Sequence, residues 1–186
     1  MKKIILLGLI LVISLGLVGC FSTNDPIEDE ENGSGNNGSG NEVVDKDFPY
    51  ELTGTFADQV FIITNWERTR RGLNALERHQ VLTTISQEHT QDMASNNFMS
   101  HTGSDSSTVR QRIERAGINL DTGLRGWGEN VARGQRTPQQ VVTAWMNSAG
   151  HRANILNENF THLGVGFVGG NYPGAPYWTQ KFLTLV

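Results

Sequence analysis

The chain has 186 residues, of which 37% are hydrophobic and 18% charged, a mix that fits one globular domain with appendages. A single cysteine, Cys20, excludes a disulfide-stapled scaffold, and a single strongly apolar stretch excludes a polytopic membrane protein. The formal net charge of -4 argues against a dedicated nucleic-acid binder, which would carry a basic face, so no nucleic-acid partner is expected.

The first residues read as an address. Lys2 and Lys3 precede an apolar run from Ile4 to Val18, broken only by Gly8, Ser14 and Gly16. At about 15 residues this run is shorter than the ~20 that span a bilayer, and it suits a signal-peptide core. It ends in Leu17-Val18-Gly19-Cys20, which resembles the bacterial lipobox, where cleavage precedes a cysteine that carries diacylglycerol. Residues 1–19 are therefore expected to be a lipoprotein signal peptide, and the acyl chains on Cys20 to hold the mature chain outside the cytoplasm at the bacterial cell membrane. Residues 20–54 read as a flexible tether, with Glu28-Asp29-Glu30-Glu31 followed by a run of Asn, Gly and Ser from Asn32 to Asn41. Residues 20–50 hold eight acids and one lysine, whereas residues 51–186 hold eleven acids and twelve basic residues. The acidity belongs to the tether, and the domain is nearly neutral.

Residues 55–186 are long enough to bury one sizeable core. A helix is expected from about Thr55 to Arg71, because Phe56, Val60, Ile62 and Ile63 follow helical spacing and Gly72 supplies a stop. Leu73 and Leu76 fall in the connection. A second helix, about Gln80 to Asn96, places Leu82, Ile85, His89 and Met93 on one stripe, and a third runs from Thr108 to Ala116 before Gly117. Thr137-Pro138-Gln139-Gln140 combines an N-cap, a proline at the first helical position and a capping box, opening a helix to about Asn147. Strands are expected at Gly128 to Ala132, His162 to Val168 and Tyr177 to Leu185. The last two are joined by a short Gly/Pro-rich loop that favours an antiparallel pair. This order predicts an α+β fold in which helices cover a small, largely antiparallel sheet.

Gly164-Val165-Gly166-Phe167-Val168-Gly169 spells G-x-G-x-x-G, but a dinucleotide site needs a helix to open at the third glycine. The two prolines and two glycines that follow forbid one. The segment reads instead as a strand with Leu163, Val165 and Phe167 on one face and glycines on the other. No P-loop, H-E-x-x-H or G-x-S-x-G motif is present. Ser104, Ser106 and Ser148 lack a prepared nucleophile or oxyanion hole.

His79 reads as a surface residue, His89 as a hydrogen-bonded core or groove residue, and His162 has no evident partner. His101 lies in the polar loop Phe98 to Asp105, His151 follows Gly150, and Glu129 sits between Trp127 and the apolar pair Val131-Ala132. Two imidazoles and a carboxylate can hold a divalent cation with an open position, or form a hydrogen-bonded acid/base cluster. Spacings of 28 and 22 residues decide neither. Trp127, Trp145 and Trp178 read as core, and Asn130 and Arg152 as ties between loops.

Several segments in order carry a resemblance: Asn65 to Gly72, Asp92-Met93-Ala94, Ser100-His101-Thr102-Gly103-Ser104, Gly128-Glu129-Asn130-Val131-Ala132, Ala144 to Ser148, Gly150-His151-Arg152 and Tyr177-Trp178-Thr179-Gln180. Together they resemble the CAP superfamily of cysteine-rich secretory proteins, insect venom antigens and plant pathogenesis-related proteins, and most closely its bacterial cell-surface branch. The resemblance implies a three-layer α-β-α sandwich with a groove beside the sheet, over residues 56–186. In animal members two His and two Glu line that groove and can bind zinc or another divalent cation. The first His is matched by His101, the Glu of G-E-N by Glu129 and the second His by His151. The second Glu is matched by Ser148, a neutral hydroxyl.

Three functions follow as expectations. The first is a surface-tethered module whose groove, at His101, Glu129, His151 and Ser148, binds a lipid, peptide or cell-wall fragment, with a divalent cation, zinc by preference, on His101 and His151. The second is a hydrolase in which Glu129 acts as general base on a cation-polarised water. The third is a structural or host-interaction surface protein with a vestigial site.

Overall fold

The protein, seen in a computed structural model, is described over residues 51–121, 126–170 and 174–185. The expected signal segment, Cys20 and the tether as far as Tyr50 lie outside the described residues, as does the tip of the last hairpin.

Thr55 starts the first helix, α1 (Phe56–Thr69), through a reciprocal capping box with Asp58. The Thr55 hydrogen bonds hold the Asp58 carboxyl below its usual range. Gly72, at φ +78, turns the chain out of the helix. A two-residue strand, β1 (Glu77–Arg78), then leads into α2 (Gln80–Asn96). His79, expected as an ordinary surface residue, is the N-cap of α2: its Nδ1 accepts from the Leu82 amide at 3.4 Å. Leu82, Ile85, His89 and Met93 are all buried, as their shared stripe requires. Thr108 caps α3 (Val109–Arg115), and Gly117 (φ +87) ends it.

Next come β2 (Trp127–Arg133) and α4 (Pro138–Asn147). Thr137 caps α4 as expected, but the other half of the box is displaced, because Gln140 Oε1 accepts from the Arg136 amide at 2.8 Å. Ser148 closes α4 and, with extended backbone, opens a short helix that sequence reading left unassigned, α5 (Ala149–Ile155). β3 (His162–Val168) and β4 (Tyr177–Leu183) complete the sheet. The last strand is two residues shorter than expected.

The sheet order is β1-β3-β4-β2, with β3–β4 and β4–β2 antiparallel and the short β1–β3 pair parallel. α2 lies on one face with α3 beside it, and α1, α4 and α5 lie on the other, giving three layers. Strand alternation assigns residues to these faces. Leu163 and Val165 join Val60, Val142, Trp145 and Trp178 in the core under α1 and α4. Gly164 and Gly166 face α2, which approaches so closely that a Cβ on Gly164 would lie 2.2 Å from the Leu82 carbonyl carbon. The glycines of the apparent nucleotide motif thus serve helix-on-sheet contact.

Polar ties fix the helices. Asn65 exchanges two hydrogen bonds with the Leu76 backbone, at 3.0 and 2.7 Å. Buried Arg68 donates to the carbonyls of Asn74, Ile155 and Asn157 at 2.8–2.9 Å. Trp145 and Trp178 are core residues whose indole N–H groups reach the carbonyls of Val131 and Gln135.

Candidate functional site

The register places Glu129 opposite Lys181, and Lys181 opposite Gly164, so both charged side chains point to the α2 face. There Gly164 leaves no room for a side chain, and Glu129 and Lys181 are packed inside with 1% and 0% exposure. A carboxylate this deep must be neutralised. Lys181 Nζ touches Oε2, and Arg112 Nη2, from α3, lies 3.1 Å from Oε2 and 3.3 Å from Oε1. His101 Nδ1 sits 2.8 Å from Oε1, and His89 Nε2 is 3.9 Å away.

The cationic side of the cluster is as constrained as the acid. Burial, and then the Arg112 charge, pull Lys181 well below its ordinary value, and the adjoining carboxylate is the group that favours its charged form. Burial likewise lowers Arg112 to about 10, which leaves it charged. His89 is forced down to about 3 by burial and then by the Lys181 and Arg112 charges, so its ring is neutral.

Arg112 also fixes the loop that carries His101. It donates to the carbonyls of His101 at 2.8 Å and Ser107 at 2.7 Å. At the start of the same loop, Ser100 presents its carbonyl to His89 Nε2 at 2.9 Å. Further along, Ser104 donates to Asp92 through its amide at 2.9 Å and its hydroxyl at 2.5 Å. His101 is therefore held at both ends and oriented by Glu129 through Nδ1. Its side chain remains 24% exposed, while that of Glu129 is 0% exposed.

The backbone of His151 is held by the residue next to Glu129. Asn130, one residue beyond Glu129, points to the opposite face of the sheet, where it donates to the His151 carbonyl at 3.1 Å and to Gln180 Oε1. Asn154 donates back to the Glu129 carbonyl and to Asn130 Oδ1. α5 is thus tied to β2 from the Asn130 side, and Ser148 is the hinge residue that starts it. Asn130 and Arg152 serve as ties, as expected, the latter donating to the Met146 carbonyl at 2.9 Å.

The structure brings His101 and Glu129 together and sets the backbone of His151 against Asn130. Among the described residues no three His, Cys, Asp or Glu side chains are grouped to hold a metal ion. The donor chemistry bears on this: the Glu129 carboxylate is already engaged by two cationic side chains, and a metal there would be a third positive charge beside them.

Sequence reading missed Lys181, Arg112 and the proximity of His89. Lys181 carried a usable signal, a lysine inside an otherwise uncharged strand that is buried along its whole length, which demands an acid opposite.

A family model described as CAP, the cysteine-rich secretory protein family, matches residues 62–182. The Bacillus subtilis protein YkwD is 40% identical over 128 residues, covering 69% of this chain and 47% of that protein. The Bacillus subtilis membrane protein YlbC is 33% identical over 133 residues, covering 72% of this chain and 36% of that protein. The chain therefore spans less than half the length of these curated relatives. A crystal structure of an extracellular protein containing a SCP domain from Bacillus anthracis superimposes with a TM-score of 0.62 at 32% identity, over 70% of this chain and 40% of that one.

Proposed function

This chain belongs to the CAP family of cysteine-rich secretory proteins, and from that premise we propose that it is an extracytoplasmic binding module. Lipid on Cys20 tethers it to the bacterial cell membrane, and the groove at His101 takes a lipid, a peptide or a cell-wall fragment. One observation carries the reading: a buried, doubly ion-paired carboxylate orients a partly exposed imidazole. Such a pair presents a ring in fixed orientation as a hydrogen-bonding group, and costs no reorganisation when a ligand arrives.

Glu129 has no part in this reading as a general base. It has no exposed side-chain surface from which to reach a water, and its neighbours Lys181 and Arg112 stabilise the anion. No step is assigned to a metal.

The test is mass spectrometry of the protein purified from its native membrane, as wild type and as His101→Ala. Both chains should carry the acyl mass on Cys20, and a ligand should co-purify with the wild type and be lost from the variant. An unmodified Cys20 would refute the tether. Absence of any ligand from the wild type, or its equal retention by the variant, would refute the groove.

A further inference from the structure

α2 and α3 stand on either side of an open cleft of about 580 Å³, within the ~300–1,000 Å³ range of small-molecule sites. Neither His101 nor Glu129 lines it. On the α2 wall, helical spacing sets two ridges side by side. Val81 and Ile85 form the inner, more buried ridge, and Ala116 of α3 extends this aliphatic floor. Thr84, Glu88 and Asp92 form the outer ridge, at successive i,i+4 positions.

Charge on this wall is one-sided. α2 carries no lysine or arginine, and its two acids, Glu88 and Asp92, both stand on the outer ridge, where like charges at i,i+4 repel one another. Asp92 accepts from Ser104 and Asn96, neutral groups that leave its charge in place. Asp105 is paired with Arg115 at 2.8 Å, while Arg112 and Lys181 serve Glu129. Over the cleft and the cluster behind it, the four carboxylates of Glu88, Asp92, Asp105 and Glu129 meet three Lys and Arg side chains, Arg112, Arg115 and Lys181, with His89 neutral. Among the described residues neither an ion pair nor a hydrogen bond engages the Glu88 carboxylate.

A missing positive charge beside an aliphatic floor selects the ligand. An anion is repelled by Glu88 and Asp92, and a metal ion makes no use of Val81, Ile85 and Ala116. Thr84 gives its hydroxyl hydrogen to the Gln80 carbonyl at 3.1 Å. Its oxygen can then only accept, and one turn from Glu88 it offers a cation a second acceptor. Glu88 stands about 10 Å along the helix from Val81, room for a stem of several methylenes. We propose that the cleft between α2 and α3 binds a primary ammonium on an aliphatic stem, with its charge on Glu88 and Thr84 and its methylenes over Val81, Ile85 and Ala116. A free alkylamine and the lysine side chain of a peptide share this chemistry. This site is separate from the His101 groove and stands whether or not that groove binds a ligand.

The probes are n-pentylammonium for a free amine and Nα-acetyl-lysine methylamide for a peptide lysine, with n-pentanol as the same stem without charge. They are titrated into the full chain at pH 7 while the methyl signals of Val81 and Ile85 and the carboxyl signal of Glu88 are followed by NMR. Pentylammonium should move all three with a Kd in the millimolar range, about fivefold tighter than pentanol, as one solvent-facing ion pair allows. Glu88→Gln should remove that preference for the charged probe, whereas Glu158→Gln, at an exposed acid outside the cleft, should preserve it. A lysine probe that binds as tightly as pentylammonium or more so assigns the site to a peptide, and weaker binding assigns it to a free amine. No shift at about 50 mM of either amine, or pentanol binding as tightly as pentylammonium, would overturn the proposal. So would a preference that survives Glu88→Gln or is lost equally in Glu158→Gln.

Discussion

Glu129→Gln isolates the charge of the buried cluster with little change in shape. The substitution leaves Lys181, which has no exposed surface, without its counter-ion and beside Arg112. Removing one partner of a buried pair costs about 3–5 kcal/mol. An independent ceiling comes from the escape open to Lys181. It can give up its proton, and deprotonating an ordinary ammonium of pKa ~10.4 at pH 7 costs about 5 kcal/mol. The two figures agree, so Glu129→Gln should lose about 3–5 kcal/mol in urea unfolding at pH 7. The double variant Glu129→Gln/Lys181→Met, which removes both charges, should recover about 2 kcal/mol or more of that loss. A pH signature accompanies the single variant. Folded Lys181 is then deprotonated while the unfolded lysine still binds a proton, so stability rises with pH between 7 and 10, by up to ~1.4 kcal/mol per unit and more steeply than in the parent. A loss under about 1 kcal/mol, or a double variant less stable than the single one, would show that the carboxylate does not neutralise Lys181.

Other consequences are equally direct. Folded His89 titrates at about 3 against an ordinary 6.5, so the unfolded chain binds the extra proton as pH falls through this window and stability is lost. Between pH 6.5 and 4.5 the loss should reach about 2.3 kcal/mol, and His89→Phe should flatten that part of the stability profile. Gly164→Ala should cost roughly 3–5 kcal/mol or prevent folding, because its Cβ meets the backbone of α2 rather than a movable side chain. Gly72→Ala has open space around it and only its positive φ to pay for, about 1–2 kcal/mol, so thermal unfolding should separate the two clearly. Arg112→Lys keeps a charge but cannot serve the His101 and Ser107 carbonyls and Glu129 together. Amide hydrogen exchange over residues 101–107 should accelerate ten-fold or more, roughly, with α4 unaffected.

The elements legible in the sequence were those whose signals are local. Thr55, Thr108 and Thr137 mark helix starts by side-chain hydrogen bonds to amides three residues on, and all three were placed correctly. Alternation at Leu163, Val165 and Phe167 marked β3 and gave the glycines between them to the opposite face. α5 was missed because Ser148 serves two helices at once and makes no side-chain cap bond for the second. β1 has only two residues and no alternation to detect. His79 looked ordinary because an imidazole is an uncommon N-cap, and only the fold shows its Nδ1 meeting the Leu82 amide.

His101 and Glu129 were legible as a pair, and one residue of strand parity decides what surrounds them. Glu129 and Asn130 are adjacent in sequence, yet alternation sends the first toward α2 and α3 and the second toward α5. Spacing along the chain cannot reveal this, whereas pairing with β4 does, since Lys181 faces Glu129 and Gln180 faces Asn130. The consequence for metal chemistry can be measured. In a cation site the positive charge is exchangeable, and here it is supplied by covalently fixed Lys181 and Arg112. Calorimetric titration with Zn²⁺ at pH 7 should therefore show no binding that depends on Glu129, and a chelator should leave the unfolding midpoint within about 0.5 kcal/mol of its starting stability. Zinc binding that disappears in Glu129→Gln would mean that Lys181 and Arg112 yield the carboxylate to a metal, contrary to the packing of the sheet face.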